Sequence, residues 1–450
     1  MHLEKTLDSV EANSFVVEVF GLGYVGFPLA VKLASSGFNV IGIDVNSKRV
    51  QRLRENDLMD SELSLQEQFL ESKNQGTLTI DESPKESELA KIGIICVPTP
   101  IPEDDVKSDV FVTKAVENFL KFAKKGDVLI LESSIEVGTT DTIQKIIEAM
   151  NFTVNEDFGL CFCPERIDPS NKEWGLENIP RVIFCSDDYS FKIAKKIYEH
   201  VNKGNLIRVN DSKIAEVVKS FENAFRLVNI SLVNELAILC DKLNISAKEV
   251  IDAASTKPFG FLAHYPGAGA GGHCIPKDPR FLLESAKKIG TNFETIRHAL
   301  IVNSLMPKYI SSSIEETISK MSLRKSILVC GLSYKANVED MRDSPSFKIM
   351  TELEKIGFKV YGYDPFFNDL FTEKYLIENR LQEKTFTIMD NLDDDELKEI
   401  DCMCVVQHHE KTQDEIIRIY KEEKIPFIYD CQNKLKKIKA SKTILKSFGT

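Results

Sequence analysis

The sequence predicts an α/β chain: two doubly wound domains joined by a long central helix and a helical middle domain. Three observations predict it. A β-rich run, Phe15 to Phe20, enters a glycine-patterned turn, a helical pattern and a second β-rich run. The same strand-and-helix rhythm restarts at Ser326. Between them Ser212 to Asp241 has helical periodicity with neither Pro nor Gly. A chain of 450 residues exceeds one core. The expected division is residues 1–211, 212–322 and 323–450.

Composition narrows the class. Hydrophobic content of 43% and charged content of 28% are ordinary for a soluble globular chain. No uninterrupted apolar run approaches the roughly 20 residues that a membrane span needs. The start, Met1-His2-Leu3-Glu4-Lys5, lacks a basic region followed by an apolar stretch, so a cytoplasmic protein with no membrane partner is expected. A net charge of -12 argues against nucleic acid. It leaves room for an anionic small molecule bound by local groups. Ten cysteines without a CxxC pair read as reduced core thiols; neither a disulfide framework nor a metal site is expected.

In the first domain the turn is Gly21-Leu22-Gly23-Tyr24-Val25-Gly26, a GxGxxG between strand and helix. Gly21 permits the tight turn, Gly23 lets a pyrophosphate approach, and Gly26 packs helix on strand. Tyr24 and Val25 lie on the same loop and are further cofactor contacts. Asp44 closes the second strand, where a carboxylate accepts hydrogen bonds from an adenosine ribose and repels a 2′-phosphate. The expected cofactor is NAD, on a Rossmann-like domain. Arg49 reaches the ribose edge or is a solvated helix charge. Ile92 to Val97 and Val128 to Leu131 are the next strands. They end at Pro98-Thr99-Pro100 and Glu132-Ser133-Ser134, so Pro98, Thr99 and Ser134 stand where open α/β sheets bind ligands. Thr99 and Ser134 can equally be local caps. Cys161-Phe162-Cys163-Pro164-Glu165-Arg166 is one more strand end.

In the middle, Ser212 can cap the long helix, with Glu216 near its first turn. Lys219 and Asn223 are four apart and share a face; Arg226 follows. A lysine on such a helix is usually solvated. The apolar stripe can carry a dimer interface. Gly271-Gly272-His273-Cys274-Ile275-Pro276-Lys277-Asp278-Pro279 sets a thiol after two glycines and a carboxylate four residues on. That is a nucleophile with a proton-managing neighbour, or a tight turn around a buried Cys. Phe281 to Met321 is helical in pattern. Gly290 interrupts it, and Pro307 starts, kinks or ends a helix.

In the last domain Ser326 to Cys330 is a strand leading into Gly331-Leu332-Ser333-Tyr334-Lys335. Asp343-Ser344-Pro345-Ser346 starts a helix. Phe358 to Tyr363 is a strand ending at Asp364. Met403 to Val406 and Phe427 to Tyr429 are later strands. No GxGxxG is present here, so this domain binds a different phosphate ligand or none. The acidic run Asp393-Asp394-Asp395-Glu396 is a solvated face.

Taken in order, these motifs resemble the UDP-glucose/UDP-N-acetylhexosamine 6-dehydrogenase family. The resemblance rests on the GxGxxG, Val97 to Pro100, Glu132-Ser133-Ser134 with Gly138-Thr139-Thr140, Pro164-Glu165-Arg166, Gly271 to Pro279 and Gly331 to Pro345. It implies an NAD-dependent four-electron oxidation of a UDP-sugar at C6, a homodimer through the central helix, and a place in polysaccharide biosynthesis. It implies that Cys274 captures the aldehyde as a thiohemiacetal and then carries a thioester. Lys219 and Asn223 match the pair that stabilises oxyanions. Asp278 matches the residue assisting proton transfer, and Ser134 and Glu165 match the water-positioning hydroxyl and the catalytic carboxylate. Substrate contacts fall on Glu165, Arg166, Lys219, Asn223, Arg226, Lys257, Tyr265, Gly267, Gly269 and Lys335, and a cofactor contact on Arg342. Pro164-Glu165-Arg166-Ile167-Asp168-Pro169 and Asn178-Ile179-Pro180-Arg181-Val182 resemble the branch acting on UDP-N-acetylglucosamine. The UDP-N-acetylmannosamine branch is the alternative, and UDP-glucose a lesser one. Ser134, Val137, Ala268 and Ala336 depart from the family's Thr, Pro, Pro and Pro; none removes a reacting group. A non-catalytic nucleotide-sugar binder would have no use for the Cys, Lys, Asn and Asp set, and a two-electron dehydrogenase would not need the Cys.

Overall fold

A computed structural model describes the chain except residues 1, 101–108, 167–170, 172, 273, 369–371, 373–385, 436–437 and 439–441, and the side chains of residues 60 and 61. His273 and the Ile167-Asp168-Pro169 part of the branch motif lie outside the described residues. The chain forms two compact units: Met1–Glu222 with Arg280–Thr291, and Asn223–Pro279 with Asn292–Thr450.

Among the described residues the first unit holds eight strands: β1 (Phe15–Phe20), β2 (Val40–Ile43), β3 (Leu78–Asp81), β4 (Ala90–Ile95), β5 (Val128–Leu131), β6 (Gly159–Phe162), β7 (Arg181–Cys185) and β8 (Leu206–Val209). Their order is β3-β2-β1-β4-β5-β6-β7-β8. All neighbours are parallel except β6 and β7. Alternate residues enter different cores. Val128 and Ile130 join one cluster, and Leu129 and Leu131 the other. Burial on both faces explains why β1 and β5 read as apolar runs and not as alternating ones. The order reverses between β1 and β4, the place where such sheets bind ligands.

The second unit repeats the plan with β9 (Ser326–Cys330), β10 (Lys359–Tyr363), β11 (Thr387–Ile388), β12 (Cys402–Val405), β13 (Phe427–Asp430) and β14 (Ile444–Ser447). The order is β11-β10-β9-β12-β13-β14, all parallel. Ile327 and Val329 face one core, Leu328 and Cys330 the other.

The long helix is Ser212–Leu243, 32 residues. By length and composition it is apolar enough to cross a membrane, although Lys219, Glu222, Arg226 and Glu235 punctuate it; 44% of its most apolar stretch is buried. Phe225, Leu232, Leu239 and Leu243 are exposed on it at helical spacing. A second long helix, Glu294–Met321, keeps Pro307 inside it, where the ring removes the amide bond to the Asn303 carbonyl. The preceding helix begins at Asp278, three residues before the apolar pattern does.

Candidate active site

The glycine loop after β1 is built for close packing at two points and for space at a third. Gly21 has φ +87°, and its amide donates to the Ile43 carbonyl at 2.8 Å. A Cβ there would lie 2.8 Å from the Cys96 carbonyl oxygen. A Cβ on Gly26 would collide with the Gly21 carbonyl. Gly23 faces open space. The helix Gly26–Ser35 begins without a side-chain cap from Val25; its Phe27 amide donates to the Gly23 carbonyl at 3.1 Å and Pro28 has no amide hydrogen, so what this terminus offers a pyrophosphate is chiefly the positive end of the helix dipole. Asp44 accepts from the Leu22 amide at 2.8 Å and the Asn46 amide at 2.9 Å, which fixes its carboxylate beside the loop. Tyr24 and Pro98 are exposed, and Thr99 is buried. These residues fit a dinucleotide such as NAD. Arg49 braces the loop: it donates to the Leu22 carbonyl at 3.0 Å and its guanidinium is paired with Glu62.

Behind the ends of β4, β5 and β6 lies a polar group of the same unit. The Ser133 hydroxyl donates to the Val97 carbonyl at 2.7 Å, tying the Val97 to Pro100 turn, and Ser134 follows half-buried. Glu165 is buried and accepts from the Arg166 amide at 2.6 Å. Arg166 is itself held by Glu222 and by the Pro180 carbonyl. Gly138-Thr139-Thr140 has an internal partner: buried Glu216 accepts from the Gly138 amide at 2.6 Å and from the Thr140 amide and hydroxyl at 2.8 and 2.7 Å. That carboxylate fills the start of the helix Thr139–Ala149, and burial pushes its pKa up. Lys219, also of this unit, is buried.

The second unit holds the cysteine loop. Cys274 alone among the described thiols is exposed. Burial pushes the Cys163 thiol up to about 12 and that of Cys330 well above its usual value, which leaves them inert. The Cys274 carbonyl accepts from the Lys277 and Asp278 amides at 3.2 and 2.9 Å, so the chain winds straight into the helix Asp278–Lys288. Asp278 is fully buried. Its carboxylate accepts from the Asn223 amide nitrogen at 2.7 Å, and Lys277 Nζ lies 3.6 Å away. Two of the expected catalytic residues, Asn223 and Asp278, are therefore in direct contact. Lys219, Glu165 and Ser134 belong to the other unit.

The loop also packs on the segment after β9. A Cβ on Gly271 would lie 2.7 Å from the Asp343 carbonyl oxygen, and one on Gly272 2.6 Å from the Tyr334 ring. Gly272 donates to the Arg342 carbonyl at 3.1 Å. The Arg342 side chain turns back to Asp340 at 2.6 Å, and Lys335 is half-buried on the same segment. Gly267 donates to Asn234 at 3.0 Å; Ala270 exchanges hydrogen bonds with Asn303 at 2.6 and 3.0 Å, and Gly269 lies against Asn303. Arg226, Lys257 and Tyr265 are exposed, with the Tyr265 hydroxyl donating to Asp252 at 2.8 Å. Sequence reasoning missed Asn234, Asn303 and Tyr334, and also Asp364, whose carboxylate accepts from the Leu332 and Ser333 amides at 2.7 and 2.9 Å. Only Asp364 had a signal, since it follows β10 as Asp44 follows β2.

Comparisons with known proteins show the family. Three models of the UDP-glucose/GDP-mannose dehydrogenase family match the chain: its NAD binding domain over residues 15–202, its central domain over 213–305 and its UDP binding domain over 328–437. A UDP-N-acetyl-D-mannosamine dehydrogenase of Methanocaldococcus jannaschii is 38% identical over 354 residues, covering 78% of this chain and 79% of the relative. A UDP-N-acetyl-D-glucosamine 6-dehydrogenase of Pseudomonas aeruginosa is 33% identical over 354 residues, covering 78% and 82%. The solved UDP-D-ManNAc dehydrogenase from Pyrococcus horikoshii superimposes with a TM-score of 0.82 at 27% identity, covering 97% of this chain and 99% of that one.

Proposed function

The chain belongs to the UDP-glucose/GDP-mannose dehydrogenase family of NAD-dependent UDP-sugar dehydrogenases, and on that premise we propose that it oxidises C6 of a UDP-N-acetylhexosamine to a carboxylate. The reaction consumes one water and two NAD per sugar and releases two NADH. The observation that carries the reading is the exposed Cys274 thiol, one turn before a buried Asp278 held by Asn223.

Bound NAD supplies the hydride acceptor for each two-electron step. The chain's residues do the rest. Gly21 to Gly26 and Asp44 hold the dinucleotide. Cys274 adds to the C6 aldehyde, so a reactive intermediate stays attached until its second oxidation gives a thioester. Lys219 and Asn223 stabilise the oxyanion that forms at C6. Asp278 manages the thiol and water protons, and Ser134 and Glu165 position the water that releases the acid. Lys335 and neighbouring loop residues hold the UDP moiety.

The motif reading favours UDP-N-acetylglucosamine. Relatives named UDP-N-acetyl-D-mannosamine dehydrogenase at 38% and 35% identity favour the other C2 epimer, and UDP-N-acetyl-D-mannosamine is our first substrate to test. The test is NADH formed per sugar across UDP-N-acetylmannosamine, UDP-N-acetylglucosamine and UDP-glucose. A yield of two with an N-acetylhexosamine supports the reading; one NADH, or none with every sugar, sinks it. A homodimer through the exposed Phe225, Leu232 and Leu239 face belongs to the same proposal. Leu232→Glu should convert it to monomer by sedimentation.

A further inference from the structure

We infer that Arg181 is the positioning residue for Glu165, holding its carboxylate in one orientation and in charge balance with Glu132. This rests on the reading of Glu165 as the family-type catalytic carboxylate. β7 runs antiparallel to β6, so its first residue, Arg181, is delivered to the sheet edge where β5 and β6 end. Arg181 is 2% exposed. Its Nη2 lies 3.0 Å from Glu132 and 3.4 Å from Glu165, and donates to the Cys163 carbonyl at 3.4 Å. The guanidinium sits 4.5 Å from the Tyr198 ring centre, and the Tyr198 hydroxyl donates to the other Glu132 oxygen at 2.5 Å.

Stability alone does not account for this group. Buried ion networks contribute little net stability compared with apolar side chains of the same volume. Arg181 Nε and Nη1 also lack hydrogen-bond partners among the described residues. The charge is better explained by what it faces. Glu132 comes from the end of β5, Glu165 and Cys163 from the segment after β6, Cys96 from the end of β4, and Tyr198 from the helix Asp188–Val201. The Arg166 side chain is engaged by Glu222 and Pro180. Within this set Arg181 is the cation between two carboxylates, and burial pushes the Glu132 pKa up in spite of it. Without Arg181 the two carboxylates would share a proton.

Three variants of the full chain test this, assayed for kcat, KM, the pH profile of kcat and melting temperature. Arg181→Lys keeps the charge and loses the fork. It should lower kcat by about tenfold or more, leave KM for NAD within about twofold, and move the acid limb of kcat to higher pH. Glu132→Gln keeps the shape and leaves Arg181 undivided on Glu165. It should move that limb to lower pH, and it decides the matter if Arg181→Lys does not fold. A limb in the wild-type place in Glu132→Gln, or wild-type kcat in Arg181→Lys, overturns the inference. A lowered melting temperature with an unmoved limb does the same, because a purely structural role predicts it. Glu165→Gln separates the two claims: full turnover there refutes the underlying reading of Glu165, whatever Arg181 does.

Discussion

After β1 the chain turns at Gly21, whose amide donates to Ile43 at the end of β2. After β9 it turns at Gly331, with φ +86°, whose amide donates to Tyr363 at the end of β10. In each case the next aspartate takes the next amide: Asp44 from Leu22 at 2.8 Å, Asp364 from Leu332 at 2.7 Å. Beyond that the two regions part. The first loop reaches its helix at Gly26, but the second does not until Pro345. Asp44 is half-buried with acceptor capacity left. Asp364 is buried and also takes the Ser333 amide and hydroxyl and the Phe366 amide, with the His409 ring 3.1 Å away. One strand-turn-strand corner thus serves two ends. A short exit puts helix amides beside the turn, while a long exit builds a loop carrying Lys335 and Arg342. What the corner binds depends on the segment that leaves it.

The sharpest way to break this comparison is to fill one corner at a time. Gly26→Ala drives a Cβ into the Gly21 carbonyl and should weaken NAD binding by about 100-fold or more, on the order of 3 kcal/mol. UDP binding should stay within about twofold. Gly331→Ala, with its Cβ 2.6 Å from Gln407, should do the reverse. Calorimetric titration of both ligands reads both variants; loss of both ligands from either one would show that the corners are not independent. Next in size, Asp364→Ala leaves several buried donors unpaired and should cost about 3 kcal/mol in urea unfolding, against about 1 kcal/mol for Asp44→Ala. Equal costs would mean the two aspartates are equivalent. Smaller again, Gly23→Ala meets no neighbour, so stability should hold within about 0.5 kcal/mol while NAD affinity falls about tenfold. Unchanged affinity would remove Gly23 from the cradle.

The smallest effect separates the two units by pH. Glu18 in β1 lies 3.5 Å from Lys91 in β4, and burial pushes its pKa up from 4.5 to about 7. The folded first unit then holds a proton that the unfolded chain has lost, so its stability falls as pH rises from about 4.5 to about 7. Asp430 in β13 is also buried, yet the His408 ring at 2.9 Å and nearby backbone amides hold it below its usual 3.8. Its contribution is complete above 3.8 and is lost as pH falls through the depressed value. Acid should therefore loosen the second unit first. Hydrogen exchange resolved by unit would show it, and Glu18→Gln should flatten the first unit's dependence between those two values.

Much of the fold was legible because its signals are local. Phe15 to Phe20, the glycine turn and the second strand lie within one stretch, and the long helix declares itself by period. β11 has only two residues, and β3 and β14 mix polar with apolar residues, unlike the continuous apolar run of β5 at the same length. Arg181 was read only as part of a motif, since an arginine is ordinarily a surface residue and its two carboxylates are remote in sequence. Arg49 offered a choice between ribose and solvent; its actual partner, Glu62, becomes visible only when the segment after the helix Ser47–Arg54 folds back. Glu216 at the Gly138 turn is the same kind of long-range pairing. The cysteine loop was legible in composition, but the Tyr334 ring that demands Gly272 was not.

That seating of Gly272 on Tyr334, with the Arg342 carbonyl accepting its amide, has a temporal consequence. The thiol and the segment of the UDP binding domain ride on one body, whereas the dinucleotide loop rides on another. Under the proposed chemistry, two dinucleotides must visit for each sugar. The half-oxidised sugar is moored twice, by a covalent bond and by its nucleotide, to the same body. Spent cofactor can depart and fresh cofactor arrive while the cargo waits at its berth.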